Sequence, residues 1–334
     1  MSIPTPGRWT SRDWLDDTLE WGMRAMSRHG LTLRSWSQPH ARPWSTALRL
    51  ETDADPVWLK APGDGARYEV PLLVLLADLD LPHVPRPLAH DLDRALILLP
   101  DGGDVSRIAH GGKTPPDRMA EYLGLYGHLQ RLTEPHVESF VAVGVGDLRP
   151  ARMPALLERT IAVLEHERPP AALSAEDAAR LRAVLPAYAE ACAELAESGV
   201  APTLQHDDLH DSNILARGPV IIDWGDACVG HPFGTMLATL NSIAFHHTLA
   251  PYDPALLRVV DAYTEAWTDL HDRATLRRLV HIAQRVGPLT RSLSYRQALT
   301  NVDEPAWQEY GDSMPEWLLE VFEPDLPTRP PLLA

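Results

Sequence analysis

The apolar pattern of this chain changes character once, at Pro100-Asp101-Gly102-Gly103. Before that turn, short runs rich in Leu, Val, Thr and Trp are separated by turn residues, the pattern of strands. After it, apolar residues recur at helical spacing. Pro and Gly together interrupt a strand and make a natural boundary. The expectation is therefore an α+β fold of two lobes: a small sheet-rich lobe over residues 1–102 and a large helical lobe over residues 103–334. At 334 residues and 45% hydrophobic content, the chain is long and apolar enough to bury a sizeable core. No internal repeat, heptad array or low-complexity tract competes with this reading.

Within the first lobe, Trp14, Leu15, Leu19, Met23 and Met26 fall on one helical face, with Thr10 or Ser11 as a cap and Gly30 as a stop. Three strands are expected between Leu31 and Ala61, interrupted at Gln38–Pro43 and Asp53–Pro56, with Lys60 near the end of the third. Residues Gly65–Asp80 read as a helix carrying Glu69. Leu88–His90 and Ala95–Leu99 read as a strand pair. In the second lobe, helices are expected over 116–133, 152–166, 174–198, 234–248, 253–272, 275–296 and 305–322. A compact strand-like interval lies at 203–223.

Thirty Lys and Arg against 46 Asp and Glu give a net charge of −16. Such a balance repels phosphate backbones and anionic lipid, so neither a nucleic-acid nor a membrane partner is expected. It is compatible with a cationic small molecule, although acidity for solubility is the commoner reason. The only cysteines, Cys192 and Cys228, form no CxxC, which argues against a disulfide framework or structural zinc. The N-terminal residues show no basic segment followed by an apolar one, and Pro71 and Asp78 interrupt the richest apolar run. A cytoplasmic protein is expected. No feature specifies an oligomeric state.

The chemistry concentrates in Gln205-His206-Asp207-Asp208-Leu209-His210-Asp211-Ser212-Asn213, followed by an apolar run that ends at Asp223. A His-x-Asp, an Asn five residues after the Asp, and a second Asp ten residues beyond the Asn suit metal-assisted phosphoryl transfer. The attacking hydroxyl needs a carboxylate to orient it and take its proton, and Asp208 is the candidate base. Magnesium prefers hard oxygen ligands and keeps water and phosphate oxygens in its shell, so Asn213 and Asp223 are the candidate ligands. His206 reads as support for the loop. His210, Asp211 and Asp226 are candidates to face the acceptor, the Asp residues through a substrate ammonium, although a satisfied loop histidine and turn or supporting carboxylates are the commoner readings.

His206-x-Asp208-Leu209-x-x-x-Asn213 with Asp223 resembles the aminoglycoside phosphotransferase and choline kinase family, a branch of the protein-kinase-like fold, and the resemblance extends over nearly the whole chain. It implies Asp208 as the catalytic Asp, with Asn213 and Asp223 on Mg2+. It also implies that Lys60 contacts the phosphates of ATP and that Glu69 is its helix partner. In the hinge Leu98-Leu99-Pro100-Asp101, Leu99 and Asp101 would contact the nucleotide. The implied reaction moves a γ-phosphoryl group to a hydroxyl of a small molecule: an aminoglycoside or other antibiotic, a sugar or an amino alcohol. Arg291, Tyr295 and Arg296 would help choose among acceptors.

Three positions depart from that pattern. The flap Pro39-His40-Ala41-Arg42-Pro43-Trp44-Ser45 has no glycine. Pro100 has no N–H for a nucleotide base, which relaxes selection between ATP and GTP. Thr235 stands where an Asp would brace the catalytic loop. These departures keep open a rival reading, a catalytically silent nucleotide-binding regulatory protein. A protein kinase is disfavoured because no Ala-Pro-Glu-like anchor follows Asp223.

Overall fold

The computed structural model describes residues 7–321. Residues 1–6 and 322–334, at the ends of the expected lobes, and the last residue of the helix expected over 305–322 lie outside them.

A five-stranded antiparallel sheet forms the N-terminal region, from β1 (Leu33–Arg42), β2 (Ser45–Thr52), β3 (Val57–Pro62), β4 (Ala89–Asp91) and β5 (Leu96–Pro100) in the order β1-β2-β3-β5-β4. The break expected at Gln38–Pro43 is absent: β1 runs through it, and the β1–β2 register shifts between Ser37 and His40. Pro39 lies inside that shift; it has no N–H for the ladder, and a bulge absorbs it. Only Pro43 and Trp44 separate β1 from β2. One face of the sheet, through Leu48, Leu50, Val57, Leu59 and Leu98, packs on Leu19, Ala25 and Met26 of the helix Arg12–Ser27.

The helix expected over Gly65–Asp80 begins only at Glu69, after a 3-10 turn at Asp64–Ala66, and ends at Asp78. Pro71 sits in its first turn, where helix N–H groups have no partners to lose. Its buried Val70, Leu72, Leu73 and Leu76 belong to the same apolar core as Tyr122, Tyr126 and Val229 of the helical region. The helix that carries Glu69 is thereby anchored to the larger core.

Helices Pro116–Thr133, Met153–Leu164, Ala175–Glu197 and Met236–His247 follow the expected pattern. The stretch expected as one helix over 275–296 is two, Arg273–Val286 and Pro288–Ala298, because Pro288 cannot continue the preceding hydrogen-bond ladder. That expected over 305–322 also divides, into Glu304–Tyr310 and Ser313–Leu319, and that over 253–272 ends as an α-helix at Thr264. The interval 203–223 holds β7 (Thr203–His206), β8 (Ile214–Leu215) and β9 (Val220–Ile221). Two unanticipated strands, β6 (Gly146–Leu148) and β10 (Ala227–Gly230), join β7 in a sheet of order β6-β10-β7. Among the described residues, no helix is long and apolar enough to cross a membrane.

The helix Pro116–Thr133 approaches Pro254–Thr264 closely enough that a Cβ on Gly127 would lie 2.5 Å from the backbone oxygen of Tyr263, whereas one on Gly124 would make an ordinary 3.4 Å contact with that of Ala262. Replacing helical Gly by Ala gains about 1 kcal/mol in propensity, and overpacking costs about 1–3 kcal/mol. Gly127→Ala should therefore lower the urea midpoint, and Gly124→Ala should leave it unchanged or raise it. Equal midpoints for the two variants would show that the helices separate freely.

Candidate active site

Three parts of the chain meet at Lys60. On β3, Val57, Leu59 and Ala61 point into the core, so alternation sends Trp58 and Lys60 to the opposite face. The Lys60 Nζ lies 2.6 Å from Glu69 Oε1 and 2.6 Å from Asp223 Oδ1. Glu69 is the first residue of its helix, where the helix dipole favours a carboxylate, and its Oε1 also accepts the Trp224 N–H at 3.0 Å. Burial alone would depress the Lys60 ammonium, but Asp223 and Glu69 reverse this and raise it well above the ordinary range. Desolvation opposes ionisation of Asp223, and Lys60 outweighs it, so this carboxyl titrates below its ordinary value. Burial leaves Glu69 above its own, with Lys60 only partly compensating.

Asp208, Asn213 and Asp223 are brought together by short local structure. Asn213 directly precedes β8 and Asp223 follows β9 by one residue; these strands form a two-residue ladder, and the Ile222 N–H donates to the Asn213 carbonyl at 2.9 Å. Asp223 takes φ = 64°, a left-handed conformation that is costly for a side chain with a Cβ. The Trp224 N–H bond to Glu69 and the Trp224 indole donating to the Ile221 carbonyl at 2.8 Å hold it there. The Asn213 side-chain nitrogen donates to the Asp208 carbonyl at 2.9 Å, leaving the amide oxygen as the group free to meet a ligand. His206 Nε2 donates to the Ile222 carbonyl at 3.0 Å while Nδ1 accepts the Asp208 N–H at 3.3 Å. Burial lowers its pKa, so a neutral imidazole ties Asp208 to the hairpin.

The brace expected from an Asp at position 235 comes from elsewhere. Tyr126 Oη accepts the His206 N–H at 2.7 Å and pairs with Thr235 Oγ1, and Thr239 Oγ1 donates to the Leu209 carbonyl at 2.7 Å. The sequence offered no signal for Tyr126, whose phenol reaches the loop from 80 residues away.

β10 pairs with β7 so that Ala227 faces His206, which sets Asp226 beside Asp207 and Asp208. Arg291, 7% exposed, sits among them: its guanidinium lies 3.2 Å from Asp208 Oδ1, 3.6 Å from Asp226 Oδ2 and 3.7 Å from Asp207 Oδ2, and donates to the Asp207 carbonyl at 3.0 Å. Burial works against ionising Asp208, but Arg291 and His210 hold its carboxyl well below the ordinary range. Desolvation pushes Asp207 up to about 7 and Asp226 up to about 6, despite Arg291. An open-sided cavity beside this cluster is lined by Glu69, Asp208, Asp223, Asp226, Arg291 and Tyr295.

Other sequence candidates fall differently. His210 Nε2 is 3.5 Å from Asp208 Oδ2, so it joins the site. Asp211 does not: one of its oxygens takes Arg107, the other the Thr114 N–H at 3.0 Å, and it anchors the loop. Asp101 accepts the Trp58 indole at 2.9 Å, and its N–H goes to the Pro56 carbonyl at 3.3 Å. These two bonds lock the strand end. Leu99 packs against the large core and Arg296 is exposed; neither lines the cavity.

The chain matches the phosphotransferase enzyme family over residues 38–272. It belongs to that family. Solved structures with the same fold include a macrolide 2′-phosphotransferase of Brachybacterium faecium, at 19% identity over 88% of this chain and 98% of that one, TM-score 0.58. An APH(2″) enzyme solved with GDP and kanamycin has 16% identity over 90% and 98%, TM-score 0.58. An ethanolamine kinase of Plasmodium vivax has 13% identity over 85% and 82%, TM-score 0.58. No curated protein matches the chain. The two-lobed protein-kinase-like fold and the assignment as a small-molecule kinase stand.

Among the described residues of this phosphotransferase, no cluster of three or more His, Cys, Asp or Glu side chains is arranged to hold a metal. Two hard oxygens from Asn213 and Asp223 nevertheless fit magnesium, which completes its shell with water and phosphate oxygens. Lys60 engages Oδ1 of Asp223, and 45% of that side chain remains exposed to the cleft.

Just beyond β10, His231 is buried; Nδ1 accepts the Phe233 N–H at 3.3 Å and Nε2 has no partner. Burial pushes its pKa from 6.5 down to about 3. Because the folded value is depressed, its contribution to stability is complete above pH 6.5 and is lost as pH falls toward 3, by at most about 1.4 kcal/mol per pH unit. In His231→Asn, where the amide oxygen can accept the same N–H, urea stability should fall less between pH 7 and pH 4.5 than in the wild type. Parallel losses would show that His231 does not carry the acid sensitivity.

Proposed function

We propose that this enzyme transfers the γ-phosphoryl group of ATP or GTP, with Mg2+, to a hydroxyl of a small molecule. The observation that carries this reading is the convergence of Lys60, Glu69, Asp208, Asn213 and Asp223 from separate elements at one cleft. The lobe through Gly102 supplies Lys60 and Glu69 for the nucleotide side, and residues from 103 onward supply the base, the metal oxygens and the acceptor wall. A cytoplasmic location fits this use of nucleoside triphosphates. Magnesium held by Asn213 and Asp223 would neutralise phosphate charge. Lys60 has the position and charge to bind phosphate oxygens, and Glu69 keeps it extended.

Asp208 orients the acceptor hydroxyl and receives its proton. Its depressed pKa makes it a weak proton acceptor but keeps it ionised throughout the neutral range, so its main contribution is alignment. That suits a loose phosphoryl-transfer transition state, in which nucleophile deprotonation lags. The structural neighbours are named for macrolides, ethanolamine and, in one complex, kanamycin, which supports a hydroxylated antibiotic, sugar or amino alcohol as acceptor.

Two substitutions separate the roles. Asp208→Asn should fold and bind Mg-nucleotide while losing about 10²-fold or more in turnover, and Asp223→Ala should lose the magnesium dependence of nucleotide binding. Near-normal turnover in folded Asp208→Asn would remove the mechanism. Absence of turnover in the wild type across a broad panel of hydroxyl compounds, despite nucleotide binding, would favour the silent regulatory reading.

Base selection gives an independent check. Pro100 has no N–H and that of Asp101 is bonded to Pro56, so the usual hinge donors are spent. Catalytic efficiencies with ATP and GTP should agree to within about tenfold. A preference of several orders of magnitude would assign base reading to the N–H of Gly102 or Gly103.

A further inference from the structure

The carboxylates around the cavity already have cationic partners from the chain itself. Lys60 serves Glu69 and Asp223, and Arg291 serves Asp208 and Asp226 and, beneath them, Asp207. Asp211, the other acidic candidate of the loop, is taken by Arg107. We infer that Arg291 occupies the place an acceptor's ammonium group would take beside Asp207, Asp208 and Asp226, so that this enzyme phosphorylates uncharged hydroxylated acceptors in preference to polyamines. This rests on the phosphotransfer reading above.

Arg291 is built in. Its helix Pro288–Ala298 is fixed on both sides: Thr290 Oγ1 lies 2.9 Å from Asp207 Oδ1, Ser292 Oγ donates to the Met314 carbonyl at 2.8 Å, and Gln297 Nε2 reaches the Gly225 carbonyl at 3.1 Å. The guanidinium lies 5.9 Å from the Tyr295 ring centroid and 5.8 Å from that of Trp317. For a polyamine ammonium to take this position it would have to displace the buried, charge-paired guanidinium, and that costs binding free energy. The net charge of −16 attracts cations at long range, but Glu69, Asp207, Asp208, Asp223 and Asp226 each already lie within 3.7 Å of Lys60 or Arg291.

What the cavity does offer is hydroxyl, amide and aromatic surface. Ser45, Ser294 and Gln297 can exchange hydrogen bonds with acceptor hydroxyls. Trp44, beside Ser45 at the β1–β2 turn, and Tyr295 present rings for the apolar face of a sugar. Such a surface recognises a sugar, a polyol or an uncharged glycoside.

The test measures phosphorylated product by mass, with kcat/KM, for the wild-type enzyme and a panel of neutral sugars, polyols and glycosides against kanamycin and choline. The best uncharged acceptor should exceed both cations by at least about tenfold. A cation as the best acceptor would overturn the inference. Absence of product with every acceptor would count against the phosphotransfer reading instead, and calorimetric titration at low salt then decides the present point. Kanamycin binding weaker than about 1 mM to the wild type supports it, and micromolar binding overturns it. Arg291→Met should bind kanamycin at least about tenfold more tightly than wild type, whereas Arg291→Lys should stay close to wild type. Unchanged affinity in folded Arg291→Met would also overturn it. If neither variant folds, the wild-type titration stands alone.

Discussion

The Lys60 ammonium is the point on which the cleft depends. It bridges a carboxylate at the head of one helix and a carboxylate at the end of a hairpin, while itself standing on a strand of the N-terminal sheet. Burying Glu69 is costly unless its charge is met, and it is met twice: by Lys60 and by the N–H of Trp224, the residue that follows the exposed Asp223. The same bond therefore supports the ion pair and the left-handed turn at Asp223. Without Lys60, Glu69 would be left buried without its cation.

The cluster around Arg291 follows a different logic. Asp207 and Asp226 have folded pKa values above their unfolded ones, so the stability they contribute is present below about pH 4 and lost as pH rises through 6 to 7. Near neutrality these groups oppose folding, the reverse of His231. Apolar residues of similar volume would be easier to bury. Arg291, held on a fixed helix, offsets part of the negative charge that Asp207 and Asp226 place beside Asp208.

What was legible in the sequence is what is local. Asp208, Asn213 and Asp223 lie in one stretch whose spacing encodes a loop, a two-strand hairpin and a turn, so their convergence could be read. Lys60 and Glu69 are nine residues apart, and strand alternation followed by a short connection to a helix brings them together. The division at Pro288 was missed because the apolar periodicity carries through it. The division mattered, since it orients the helix that carries Arg291. Tyr126 and Arg291 reach the loop from 80 and 84 residues away, where no spacing rule applies. The partners of Asp101 and Asp211 were illegible for the same reason: Trp58 and Arg107 reach their carboxylates from distant parts of the chain.

The two cations also differ in what they can follow. Lys60 belongs to the sheet and moves with it. Arg291 belongs to the C-terminal helices, which touch the N-terminal region where Asn301 donates to Asp64 at 2.7 Å and where the Tyr310 ring meets that of Trp44 at 5.2 Å. Arg291 and its partners Asp207 and Asp208 all lie within the helical region, whereas the ion pair of Lys60 with Asp223 joins the sheet to that region, so the first cluster depends on packing inside one part of the fold and the second on how the two parts meet.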